Sequence, residues 1–105
     1  MGIFSSIFGS NQDSQNQLAS IINDNAFLVD VRSKDEYESG HVEGSVNIPL
    51  DQIQANMAQF KNQKNIVVFC RSGNRSGQAK VILERNGIQN VTNGGTWQEV
   101  RAMLN

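Results

Sequence analysis

One cysteine and one histidine stand among 105 residues, and each scarcity closes a class of function. A single thiol makes no internal disulfide, so nothing in the chain calls for an oxidising compartment. One Cys with one His cannot assemble a metal site of the usual ligand count. No apolar run approaches the length of a membrane span. The start, Met1-Gly2-Ile3-Phe4-Ser5-Ser6-Ile7-Phe8, lacks the positive flank and long apolar core of a signal peptide, and the chain is read as cytoplasmic. A formal net charge of −1 argues against a general nucleic-acid or membrane-surface binder, so any electropositive function is local.

What is present is one domain's worth of sequence, long enough for a single core, with 38% hydrophobic and 18% charged residues. Residues 1–12 read as a flexible lead-in and 13–105 as the domain. Met1-Gly2 with Ser6 fits the short pattern for N-myristoylation, but Ile3, Phe4, Ile7 and Phe8 are better read as an apolar patch that packs on the domain or frays. Leu18, Ile21 and Ile22 at helical spacing predict a first helix over 13–23. Residues 26–31, nearly all apolar, predict a strand buried on both faces. Ser33 with Glu36 forms a capping box for a short helix stopped by Gly40, and Val46 to Pro49 is a brief extended piece.

Asp51 is expected to cap a helix that turns Ile53, Met57 and Phe60 inward, with Gln54 at its third position. Residues 66–69 form the second clear strand, and Ala79, Ile82 and Leu83 mark a helix ended by Asn86-Gly87. A last strand near Val91-Thr92 leads through Asn93-Gly94-Gly95 to a second capping box, Thr96 with Glu99. That box opens a helix with Trp97, Val100, Met103 and Leu104 inward. The alternation implies an α/β fold: a mostly parallel sheet of four to five strands, helices on both faces, and a site at the strands' carboxyl ends.

Cys70 sits at such an end, between Ile66-Val67-Val68-Phe69 and a helix-forming segment, and Cys70-Arg71-Ser72-Gly73-Asn74-Arg75 forms the link. A core thiol ending a strand is the plain alternative, yet a core has no use for five polar or glycine residues directly after it. A loop restarting as a helix aims backbone N–H groups at one point, and with Arg71 and Arg75 beside it the thiol should fall below its free value of about 8.5. Gly73 allows the turn that points amides inward. Ser72 and Ser76 add hydroxyls, Ser76 serving equally well as a plain helix N-cap. The arrangement suits nucleophilic attack on an anionic substrate. Cysteine phosphatases and arsenate reductases use a loop one residue longer between Cys and Arg, wide enough for a tetrahedral oxyanion. Four residues between Cys70 and Arg75 better suit one sulfur atom carried on the cysteine.

The chain resembles the rhodanese family of sulfurtransferases. The likeness runs through Leu28-Val29-Asp30-Val31-Arg32, Glu36-Tyr37, Gly40-His41-Val42, Gly44-Ser45 and Asn47-Ile48-Pro49. It continues through Cys70 to Ser76, and more weakly through Asn93-Gly94-Gly95 and Trp97. It implies a single rhodanese domain in which Cys70 takes a sulfane sulfur from a donor such as thiosulfate and passes it to cyanide, a thiol or a partner cysteine protein. The loop from Arg71 through Ser72, Gly73 and Asn74 to Arg75 would hold the substrate, with no metal, organic cofactor, nucleic acid or membrane involved. A non-enzymatic persulfide carrier or partner-binding module is the competing reading. His41 is read as structural, its ring bonding backbone at a helix end, because a thiolate ionised by its loop needs no base. Asp30 and Arg32 are read as tying the next loop to the core, Asp35, Glu36 and Glu38 as a solvated face, and Trp97 as core.

Overall fold

A computed structural model describes residues 14–105. The expectations for residues 1–12, including the apolar patch and the acylation pattern, lie outside the described residues. Helix α1 covers 14–22 and ends in a turn where Asn25 takes φ 56°. Then follow β1 (Phe27–Asp30), α2 (Lys34–Glu38), β2 (Val46–Asn47), two 3₁₀ segments (Leu50–Gln52 and Gln54–Phe60), β3 (Ile66–Cys70), α3 (Asn74–Arg85), β4 (Val91–Thr96) and α4 (Trp97–Met103). The sheet has four strands in the order β2-β1-β3-β4, all pairs parallel. Asp30, Asn47, Cys70 and Thr96 therefore end their strands at one edge.

The central strand β3 is buried at all five positions, as a strand covered on both faces must be. Its side chains divide with a period of two. Ile66, Val68 and Cys70 join Val29, Ile53, Phe60, Ala79 and Leu83 on one face, and Val67 and Phe69 join Leu28, Ile22, Val42 and Val100 on the other. Each fully buried aliphatic or aromatic side chain contributes about 1.5–3 kcal/mol. Both capping boxes form, Ser33 with Glu36 and Thr96 with Glu99.

Two local expectations are corrected. Asp51 caps nothing: the extended Pro49 (φ −56°, ψ 151°) precedes the turn, the Leu50 amide binds the Val31 carbonyl at 3.1 Å, and the chain begins to coil with Asp51 already inside. Nor is the following piece a regular α-helix. Asn56 leaves helical geometry (φ −111°, ψ 24°) while its side chain donates to the Gln52 carbonyl at 2.8 Å, so a polar side chain competes with the helical ladder. Ile53 and Phe60 still point into the core, with Met57 packed beside them.

The last strand also runs on, past Thr92 to Thr96, because a bulge lets it. Val68 pairs with Asn93 and Phe69 with Gly95, leaving Gly94 as the extra residue. A Cβ on Gly94 would lie 2.9 Å from both Val100 Cγ2 and Val67 Cγ1, so α4 closes on the sheet only over glycine.

Candidate functional site

The Cys70 side chain is fully buried, 0% exposed, at the carboxyl end of the central strand, and it belongs to the core cluster beneath α3. Burial alone is what a core thiol would show. The neighbours of its sulfur are different: the Gly73 amide donates to Sγ at 3.0 Å and the Ser76 amide at 3.4 Å, with Ser76 Oγ also at 3.4 Å. Gly73 is the N-cap of α3 and takes φ 92°, so the turn that delivers its amide needs glycine. Burial pushes the Cys70 thiol up, the contacts with Ser76 and the Ser72 and Gly73 amides pull it down, and down prevails. The direction expected from the loop is met.

Its cause is only partly the expected one. Arg71 is exposed, and the Arg75 guanidinium is engaged by Glu36, Nη1 to Oε1 at 2.7 Å and Nη2 to Oε2 at 3.0 Å. Paired in this way Arg75 still acts on the sulfur as a nearby charge, but the chief causes of the lowered thiol are Ser76 and the loop amides. The same pair corrects Glu36, which is no solvated carboxylate: the Arg75 guanidinium, with help from Ser33, brings its carboxyl from an ordinary 4.5 to about 2. Glu36 thus joins α2 to the cysteine loop while closing its own capping box. Ser72 and Asn74 are exposed, and the Asn74 amide reaches Ser72 Oγ at 3.4 Å.

Ser76 is not the N-cap. It lies three residues inside α3, is fully buried, and donates its hydroxyl to Asn93 Oδ1 at 2.7 Å. Asn93 in turn donates from Nδ2 to the Gly73 carbonyl at 3.1 Å and accepts from the Gly95 amide at 3.0 Å. Asn93 and Glu36 stand outside the residues singled out as substrate-facing. For Asn93 the signal was its place beside two glycines, which marks backbone that must come close. For Glu36 it was a carboxylate one helix turn from the cap.

Asp30, Arg32, His41 and Trp97 sit as expected. Asp30 and Arg32 form a buried pair, Nη2 to Oδ2 at 2.7 Å and Nε to both oxygens at 3.0 Å, and Arg32 also donates to the Gly40 carbonyl at 2.7 Å. His41 stacks on Tyr37 with ring centroids 3.9 Å apart, and its Nδ1 lies 2.8 Å from the Tyr37 carbonyl. Trp97 packs against the core beneath the Arg32 and Arg101 guanidiniums. A shallow cavity of about 280 Å³ beside the loop is lined by Val31, Ser33, Pro49, Leu50, Asp51 and Arg75. A larger one, about 720 Å³, lies between His41, Glu43 and Arg101 and includes no loop residue. Among the described residues no cluster of His, Cys, Asp and Glu is arranged for a metal, and no helix is long and apolar enough to cross a membrane.

Comparison with known proteins places this geometry. The chain is 38% identical over 74 residues to the thiosulfate sulfurtransferase PspE of Escherichia coli, covering 69% of this chain and 71% of that one. It is 33% identical over 66 residues to the putative sulfur carrier protein YrkF of Bacillus subtilis, covering 63% of this chain and 36% of the relative's length. A solved structure described as rhodanese with anions from E. coli superimposes with a TM-score of 0.64 at 37% identity, over 70% of this chain and 89% of that one. The family model of the rhodanese-like domain matches residues 14–98. With four parallel strands leading to an amide-bound cysteine, the chain belongs to the rhodanese-like sulfurtransferase family.

Proposed function

We propose that this protein moves a sulfane sulfur from thiosulfate or a similar anionic donor to cyanide or a thiol, through a persulfide on Cys70. The observation that carries the reading is the convergence of the Gly73 and Ser76 amides on Sγ at the start of α3. The thiolate attacks the outer sulfur of the donor, a new S–S bond forms, and the donor's own S–S bond breaks with its electron pair leaving on sulfite. The acceptor then attacks the outer sulfur of the persulfide, and the pair in that bond returns to Cys70 as thiolate. No external oxidant or reductant enters. Arg71, Ser72, Gly73, Asn74 and Arg75 are the loop that would receive the donor, and the Gly73 and Ser76 amides on Sγ offer the charge stabilisation.

Intact-protein mass spectrometry after incubation with thiosulfate tests it. The wild-type chain should gain one sulfur atom and lose it to cyanide as thiocyanate, and Cys70→Ser should do neither. An unchanged mass with thiosulfate and with every other sulfane donor tried refutes the enzyme reading.

The second reading is a carrier that takes sulfur from, or gives it to, a partner cysteine protein. It is favoured by the likeness to a protein named as a sulfur carrier and by the neutralised Arg75, which weakens attraction for a small dianion. Persulfide formation only in the presence of a partner cysteine enzyme, with no turnover of small donors, selects it.

A further inference from the structure

Ser76 Oγ carries one hydrogen and lies near two acceptors, Cys70 Sγ at 3.4 Å and Asn93 Oδ1 at 2.7 Å. It cannot serve both. The Asn93 carboxamide has only one workable orientation. The Gly95 N–H, a donor only, lies 3.0 Å from Oδ1, and the Gly73 carbonyl, an acceptor only, lies 3.1 Å from Nδ2. Exchanging O and N would set donor against donor at one end and acceptor against acceptor at the other. Oδ1 therefore faces Ser76 and takes its hydrogen along the shorter contact. What Ser76 shows the sulfur is a lone pair.

We propose that Asn93 is a positioning residue of the Cys70 site: by holding the Ser76 hydroxyl hydrogen it makes Ser76 Oγ an acceptor for the thiol S–H and leaves the sulfur anion to the Gly73 and Ser76 amides. The hydroxyl can serve the thiolate only by turning away from Asn93 and giving up the 2.7 Å bond. Asn93 thus keeps Cys70 more basic than the same loop with a free hydroxyl would. A more basic thiolate is the better nucleophile and the poorer leaving group, so Asn93 weights the site toward taking sulfur up and away from releasing it. The inference rests on Cys70 being the reacting thiol of the proposed function. Its test reads the thiol itself, so a failure of sulfur transfer and a failure of this inference are distinguishable.

The test is the pH profile of Cys70 alkylation by iodoacetamide in the full chain. The charged groups around the loop, Arg71, Arg75 with Glu36 from α2, and Asp30 with Arg32 from β1 and the residues after it, stay as they are in every variant. Asn93→Leu fills the carboxamide's place and offers no acceptor, so the Ser76 hydrogen turns to the sulfur. The alkylation midpoint should fall, and at a fixed lower pH the thiolate fraction should rise about tenfold for every full pH unit by which the midpoint moves. In the Asn93→Leu, Ser76→Ala double variant that fall should vanish. Ser76→Ala alone, which keeps the Ser76 amide, should not raise the midpoint, because it removes an acceptor of S–H and no donor to the thiolate. A midpoint raised by Ser76→Ala shows that the hydroxyl already donates to sulfur and overturns the proposal. So does a fall in Asn93→Leu that persists without the hydroxyl. Ser76→Ala decides the matter alone should Asn93→Leu fail to fold.

Discussion

Arg32→Ala should remove a large share of the stability of this domain, and the structure supplies the reasons. Asp30 is 0% exposed and Arg32 3%, so solvent cannot rescue the carboxylate left behind. The substitution takes away the Nε and Nη2 donors from both Asp30 oxygens, leaves the Gly40 carbonyl without its guanidinium, and uncovers the Trp97 face, 4.6 Å from Arg32 Cζ. Only the Arg32 backbone amide still reaches Asp30 Oδ1, at 2.9 Å. Removing one partner of a buried pair costs about 3–5 kcal/mol, against a total of about 5–15 for a typical domain. With a urea slope of roughly 1–1.5 kcal/mol per molar for a chain of this size, the unfolding midpoint should drop by about 2–5 M. Arg32→Lys should recover part of the loss at most, since an ammonium cannot repeat the planar two-nitrogen bond and reach Gly40 as well. A midpoint displaced by less than about 0.5 M in Arg32→Ala, with unchanged slope, would show that the pair is not what joins the β1 end to the Gly40 turn.

Glu36→Gln keeps the shape of the Arg75 partner and removes its charge, so Arg75 should attract a dianion better. Steady-state kinetics should show thiosulfate KM falling by roughly threefold to tenfold, with little change for an uncharged sulfane donor, and equal losses for both donors would mean the pair only builds the loop. In the wild type, Glu36 ionises at about 2 when folded against 4.5 ordinarily, so its stabilising share is whole above 4.5 and disappears as pH falls from there to about 2. Because the Arg75 and Glu36 side chains keep 35% and 30% of their surface, solvent limits that share to about 1 kcal/mol, and acid titration of unfolding should show it missing in Glu36→Gln. Gly94→Ala should cost about 1–3 kcal/mol in thermal or urea unfolding by forcing a methyl against Val67 and Val100, and a neutral result would mean that α4 shifts freely on the sheet.

The parts readable from sequence were those with a local cause. Residues 26–31 and 66–69 are too uniformly apolar for anything but buried strands, and the Ser33/Glu36 and Thr96/Glu99 boxes fix two helix starts within a few residues. Cys70 and Gly73 announced a turn into a helix start by residue type alone. What was not readable depended on partners distant in sequence. Glu36 and Arg75 lie 39 positions apart and meet only because β1 and β3 are neighbours in the sheet. Ser76 fitted a cap as well as a hydroxyl at the loop, because Ser near a helix start usually caps it. Its true partner, Asn93, arrives from β4, and the bulge that lengthens β4 depends on how Gly94 packs under α4. Asp51 was misplaced for a similar reason, since the Leu50 bond to Val31 that starts the coil early crosses between elements.

The burial of Cys70 bears on why a loop of this size suits sulfur. With the residue 0% exposed and two amides on Sγ, a bulky electrophile meets the resting thiolate poorly, and the proposed reading calls for a slim donor. In the proposed transfer the donor's outer sulfur would stand one S–S bond, about 2 Å, beyond Sγ. Sγ meanwhile stays among the amides that will hold its charge when it leaves. In the proposed ping-pong transfer the same donors would serve the nucleophile of the first step and the leaving group of the second. A lone cysteine fits the proposed transfer: with no second thiol in this sequence to resolve a persulfide on Cys70, its sulfur would go to an acceptor from outside.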